Sequence, residues 1–256
     1  MDKCLNCGAE ISTKYCPHCG QEKIVNRFEV KTIVHEVTHG LFHWDNSILN
    51  TFKLLLSRPG YFVKEYVNGK RKSFIKPFSF FLFFLTIYVL LFHWMSGRYF
   101  TFYNTSLNLS GSKLSKIIMM QHLIRTNLNY LYFILPLVFA FFLKLFFKKN
   151  TGINYAESLV FSFYTFAMVL IFGTVIMLLS AIDIRIWNLR LVISFIYLSF
   201  AVMQFSGYSK VKGLVIGGAV AILSYMIYII SVMILIFGYL IFENILLCII
   251  NIFLRN

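Results

Sequence analysis

From residue 77 onward the chain is apolar almost throughout. Short polar stretches cut it into segments of about 20 residues, the length that crosses a bilayer as a helix. Five spans are predicted, over 77–95, 128–147 with a kink at Pro136, 158–182, 189–205 and 214–237. Residues 238–254 stay apolar around Glu243 and Asn244 and read as an interfacial tail, with a sixth, short span as the alternative. Residues 97–127, rich in Asn, Ser and Thr, form the longest loop between spans. Upstream of 77 the pattern changes. Over 28–58, Val34, Val37, Leu41, Trp44 and Ile48 recur at steps of three and four and predict a helix with one apolar stripe. Pro59 opens and Gly69 closes a second, shorter helix that gathers Phe62, Val63, Tyr66 and Val67 on one face. Basic amphipathic helices beside a span are expected to lie in the headgroup plane.

Composition agrees with this pattern. The 256 residues are 59% apolar, 18% aromatic and 13% charged, with a mean hydropathy of +0.73. A soluble domain carries about 25% charged residues, so a soluble enzyme is excluded, as is a disordered chain. Lys and Arg number 24 against 10 acids. Half of those cations precede residue 77. Lys70, Arg71, Lys72 and Lys76 crowd the entry to the first span, where each would gain about 1 kcal/mol from an anionic leaflet. With five spans, 17 basic residues fall on the side of the N-terminus and seven on the other. That bias predicts a cytoplasmic N-terminus. The opening MDKCLNCG has no apolar core, so no cleavable signal peptide is expected.

The candidate chemistry begins with four cysteines. Cys4-Leu-Asn-Cys7-Gly8 and Cys16-Pro-His-Cys19-Gly20 each place two thiols on one tight turn, with a glycine after the second for the left-handed backbone such a turn needs. Two facing turns supply four sulfurs for one tetrahedral Zn2+, a closed structural site with no open position for catalysis. Two disulfides are the alternative; without an export signal, zinc is the expectation. His18 stands inside the second turn and is not needed for the set. Cys248 reads as an inert packed thiol. The plan is a zinc ribbon at 1–24, basic amphipathic juxtamembrane helices at 25–76 and a transmembrane bundle at 77–256.

A second motif competes. His35-Glu36-Val37-Thr38-His39 is an H-E-x-x-H, which puts two imidazoles on one helix face for zinc and makes Glu36 the candidate general base. The longer pattern with a glycine and a third histidine fails, because Gly40 and His43 stand at other offsets. The histidines also project away from the apolar stripe, so solvated histidines are the first reading and a membrane metalloprotease the competitor. Among the few polar residues in or near spans, Glu157 sits at the mouth of the third, and Gln204 and Glu243 lie deep or near the ends.

The paired C-x-x-C-G turns, the segment from Arg58 to Arg71 (R-P-G-x-x-V-x-x-Y-V-x-G-K-R) and the Lys76-Pro77 entry to the first span together resemble one bacterial family. It comprises zinc-ribbon membrane proteins catalogued only as a domain of unknown function. The resemblance implies the same architecture and no activity. In that family a Glu-His pair opens the third span, with more histidines a turn later. Here Ser158 follows Glu157, and Phe163, Tyr164 and Thr165 stand where the later histidines would be.

The expected protein is thus an all-α integral membrane helical bundle of about five spans, with a small N-terminal zinc ribbon and amphipathic juxtamembrane helices. Its expected role is non-enzymatic. Cys4, Cys7, Cys16 and Cys19 would hold one structural Zn2+, and Lys70, Arg71, Lys72 and Lys76 would contact anionic headgroups. The ribbon would dock an unidentified cytosolic protein; no specific nucleic acid is expected. A lipid- or small-molecule-handling bundle is the third reading, and a large inner cavity lined by Glu157 would favour it.

Overall fold

The computed structural model describes residues 2–23, 25, 27–30, 47–106, 111–126 and 128–253. Strands β1 (Asp2–Lys3) and β2 (Glu10–Ile11) pair antiparallel, Asp2 opposite Ile11 and Lys3 opposite Glu10. Helices follow: α1 (Ser47–Ser57), α2 (Pro59–Val67), α3 (Pro77–Ser106), α4 (Gly111–Thr126), α5 (Leu128–Thr151), α6 (Tyr155–Leu179), α7 (Leu189–Ser206) and α8 (Lys210–Phe253). A short 3-10 helix, Ile184–Asn188, leads into α7.

Among the described residues, four helical stretches are long and apolar enough to cross a membrane: Pro77–Phe102, Tyr155–Leu179, Ile184–Ser206 and Lys210–Tyr239. They correspond to the expected first, third, fourth and fifth spans. The expected second lies in α5, a 24-residue helix with Pro136 inside it, whose apolar stretch among the described residues is Tyr132–Phe147. Residues 238–253 form no separate element; they continue α8, which at 44 residues reaches about 66 Å. The expected loop at 97–127 is largely helical. α3 runs on to Ser106, α4 fills 111–126, and paired side-chain amides of Asn104 and Gln121 tie the two together at 2.9 and 3.3 Å.

The axis of the bundle is α6. It is apolar on every side and buried on every side from Ala156 to Leu170, as an all-round hydrophobic helix must be. Asn154 and Glu157 start it with a reciprocal capping box. α3 runs parallel to α6: Tyr164 donates to Ile75 O at 2.6 Å just before α3 begins, and near the other end Tyr99 meets Ser180 and Met177 O. α7 returns antiparallel, with ring pairs Phe161–Phe205 and Phe172–Tyr197. α8 packs on α7 where Gly217 lies against the Ser199 backbone; a Cβ there would stand 2.8 Å from Ser199 O.

The segment before α3 differs from expectation. Arg27–Glu29 is not helical, and Phe28 stacks on Tyr66 at 5.8 Å. Of the predicted stripe, Ile48 packs on the core, while Val34, Val37, Leu41 and Trp44 lie outside the described residues. α2 forms where Pro59 and Gly69 predict it. Its apolar face, however, is covered by protein: Phe62, Val63 and Tyr66 are buried, and the rings of Phe62 and Tyr66 meet Tyr164 edge-on. Three polar side chains of the spans reach out to the backbone of this segment. Gln204 Oε1 accepts from Gly60 N at 3.1 Å, Tyr197 donates to Leu55 O at 3.0 Å, and Tyr164 bonds Ile75 as above. Each such bond is worth about 1 kcal/mol net, and leaving one unmade costs more.

Candidate functional site

The two cysteine turns repeat one hydrogen-bond pattern. Cys4 N donates to Ala9 O and Gly8 N to Cys4 O; Cys16 N donates to Gln21 O and Gly20 N to Cys16 O, all at 2.8–2.9 Å. Gly8 and Gly20 have φ of +78° and +71°, the conformation expected of the glycine after each pair. The turns face each other through β1–β2 and the Tyr15–Glu22 bridge. Four sulfurs result, all within 4.8 Å of one another, with Cys4–Cys19 and Cys7–Cys16 at 3.6 Å. Tetrahedral zinc with bonds of about 2.3 Å needs S···S edges of roughly 3.8 Å, so the donor set fits the metal. All four thiols are free. Their electrostatics also call for a cation. Burial pushes the Cys4 thiol up, but backbone N–H groups of Cys7 and Asn6 outweigh it and bring Cys4 down to about 6. Cys7 is drawn down by Ala9 N–H, yet burial and the neighbouring sulfurs push it up to about 12. Crowded thiols cannot all ionise unless a positive charge sits among them. His18 is exposed and does not join the cluster.

The ribbon rests on the turn between α2 and α3. Asn6 Nδ2 donates to Ser73 Oγ at 2.9 Å, Lys72 N donates to Gln21 Oε1 at 3.0 Å, and Leu5 packs over Gly69. This turn carries the basic cluster. Lys70 pairs with Glu65 at 3.2 Å. Arg71 turns inward: its guanidinium lies 3.7 Å from the Phe28 ring centre and donates to Tyr66 O and Val67 O, the last carbonyls of α2. Lys72 is exposed and Lys76 half-buried. The four cations are close together, but two of them already have protein partners.

Behind the ribbon, Arg27 closes onto the mouth of α6. Its Nε donates to Glu157 Oε1 at 2.6 Å, and its Nη2 donates to Glu157 Oε2 at 3.0 Å and Gly152 O at 2.6 Å. The carboxylate raises the Arg27 pKa, chiefly through that hydrogen bond. Glu157 is only 5% exposed and also accepts from Asn154 N, so its charge is fully engaged. Its role here is structural: it starts α6 and anchors the linker from the ribbon. The sequence pattern gave no signal for Arg27, because its partner lies 130 residues away. The pair borders a cleft of about 570 Å3 with Lys64, Asn68 and Phe205 on its walls. Burial lowers the Lys64 pKa, and no carboxylate pairs with Lys64 among the described residues. Replacing Arg27 by Ala leaves a buried carboxylate without its cation. It should lower the thermal midpoint of the detergent-purified protein, and adding Glu157→Gln should recover more than half of the loss.

His35, Glu36, His39 and His43 lie outside the described residues. Phe163, Tyr164 and Thr165 fill the core: Phe163 packs on Phe78 and Phe81, Tyr164 holds Ile75, and Thr165 bonds its own helix at Phe161 O.

Long apolar helices around a buried axis, with a compact cluster of four thiols near the N-terminus at metal-binding spacing, fit a multi-pass helical membrane protein. Residues 45–89 match the model of a family described as "Protein of unknown function (DUF3667)". The matched stretch runs through α1, α2, the basic turn and the first half of α3, and includes the Arg58–Arg71 segment. No curated protein and no solved structure matches the chain.

Proposed function

We propose that this chain is a non-enzymatic protein of the bacterial cytoplasmic membrane whose cytosolic zinc ribbon and basic turn form one docking surface. Cys4, Cys7, Cys16 and Cys19 hold a single structural Zn2+. The zinc stiffens a module whose own core is little more than Cys4, Ile11 and Cys16. Lys72 and Lys76 meet anionic headgroups, with Lys70 and Arg71 shared between that role and the fold. The outer face of the ribbon takes a cytosolic protein partner. One observation carries the reading: four sulfurs already at metal spacing on two equivalent turns, leaving no coordination position open. Purified intact protein should contain one zinc per chain. A value well below one counts against the ribbon, and a value near two shifts the reading to a metalloprotease on His35, Glu36 and His39.

The cleft beside Glu157 supports the third reading, a bundle that handles lipids or small molecules. Under it, Lys64→Gln should weaken ligand binding while leaving the zinc content at one.

A further inference from the structure

Within the bundle of spans, a cavity of about 260 Å3 opens between α3, α5, α6, α7 and α8. Arg190, near the start of α7, lines it with Tyr88, Tyr132, Tyr225 and Tyr228. Gly173 makes the room: a Cβ there would come 3.0 Å from the Tyr88 ring and 3.7 Å from Arg190 Cδ. Gly173 is also 16 residues beyond Glu157 on α6, about 24 Å along the helix, so this cavity is separate from the ribbon-side cleft.

The polar groups here have donors to spare. Arg190 Nη1 donates to the Tyr88 hydroxyl at 2.8 Å, and Tyr132 donates to the same oxygen at 2.9 Å. Tyr88 therefore accepts twice, and its own proton has no acceptor among the described residues. The guanidinium plane lies over the Trp187 ring at 4.2 Å. Of its five N–H donors, one is used among the described residues. No carboxylate lines the cavity, and none pairs with Arg190 among the described residues. The nearest acid in sequence, Asp183, instead caps the 3-10 helix through Arg185 N.

A lone arginine near a helix end normally extends toward the interface. Arg190 is instead held to Tyr88, eleven residues into α3 and near the middle of its apolar stretch. A cation kept at that depth without an acid suits an anion that comes and goes. The rest of the wall is apolar, with Phe81, Leu135 and Phe166 inside. Leu191 and Ile229 are 56% and 57% exposed on the outer surface of the bundle, where lipid chains would lie.

We propose that Arg190, Tyr88 and Tyr132 form a membrane-embedded site for the phosphate headgroup of an anionic lipid, entered sideways between α7 and α8 past Leu191 and Ile229. The guanidinium and the free Tyr88 proton bind the phosphate oxygens, and the acyl chain follows the apolar wall out to the bilayer. This site does not depend on the zinc centre.

The test uses full-length protein, delipidated in a neutral detergent and titrated with phosphatidylglycerol, phosphatidylcholine or inorganic phosphate. Native mass spectrometry and thermal midpoints provide the readouts. One phosphatidylglycerol should be retained and raise the midpoint, with phosphatidylcholine at least tenfold weaker. Arg190→Gln should lose that one lipid, and Tyr132→Phe should weaken it severalfold. Leu191→Trp, which blocks the entrance without altering charge, should also exclude the lipid, so the proposal stays testable even if Arg190→Gln fails to fold. Equal retention of both lipids, or retention unchanged in the Arg190 and Leu191 variants, overturns the site. Inorganic phosphate binding as tightly as the lipid overturns its assignment to a membrane amphiphile.

Discussion

Replacing Cys7 and Cys19 together by serine should take the zinc content from one per chain to none and unfold residues 2–23, while the apolar helices stay inserted. The ribbon has two strands of two residues each, and its buried core is three side chains. Nothing of that size folds alone without a staple, and in zinc modules metal binding is folding. The contacts with the body among the described residues are few: Asn6 to Ser73, Lys72 to Gln21, and Leu5 over Gly69. They position a folded ribbon and are too weak to hold up an unfolded one. Limited proteolysis should therefore cut the double variant within its first 25 residues and leave the membrane fragment at wild-type yield. A strong chelator on the wild-type protein should give the same cleavage pattern, and added zinc should reverse it. Cleavage within the apolar helices would mean that the ribbon supports the bundle.

The second large effect is expected at Gly60. α2 approaches α7 so closely that a Cβ on Gly60 would overlap the backbone nitrogen of Phe205 and the Cβ of Gln204. Those atoms belong to the helix itself and cannot rotate away. Gly60→Val should therefore push α2 off α7, break the Gly60–Gln204 hydrogen bond and lift Phe62 and Tyr66 from Tyr164. The cost should be about 3 kcal/mol, at the upper end for overpacking. Thermal unfolding in detergent reads it. Gly97→Ala is the control, since its Cβ would meet nothing within 4 Å; it should leave the midpoint unchanged or slightly higher. A Gly60→Val protein as stable as wild type would show that the segment does not dock on the spans as described.

The residues that were legible in advance are those whose reasons are local. Two C-x-x-C-G repeats fold as matching turns because the spacing and the glycine suffice. Pro59 and Gly69 bound α2 for the same kind of reason. The parts that differ are set by distant partners. Phe28 and Glu29, inside the predicted 28–58 helix, are not helical, because Phe28 stacks on Tyr66 and Arg27 beside it reaches Glu157 across 130 residues. α4 has little apolar periodicity to announce it. Its tie to α3 is an amide pair, Asn104 with Gln121, whose residue types equally suit a loop. From the sequence Glu157 is only an acid at the mouth of the third span, where a carboxylate near the membrane is costly. Once Arg27 is placed, that cost is met by an ion pair. Nothing near Arg190 in the sequence marks it, because its partner, Tyr88, stands 102 residues earlier.

X-ray absorption at the zinc edge on the purified, full-length protein tests the central claim most directly. The account predicts one zinc per chain with a first shell of four sulfurs at about 2.3 Å and no nitrogen. A metal-free protein with its four N-terminal cysteines joined to one another, or a shell containing histidine nitrogen, would contradict it.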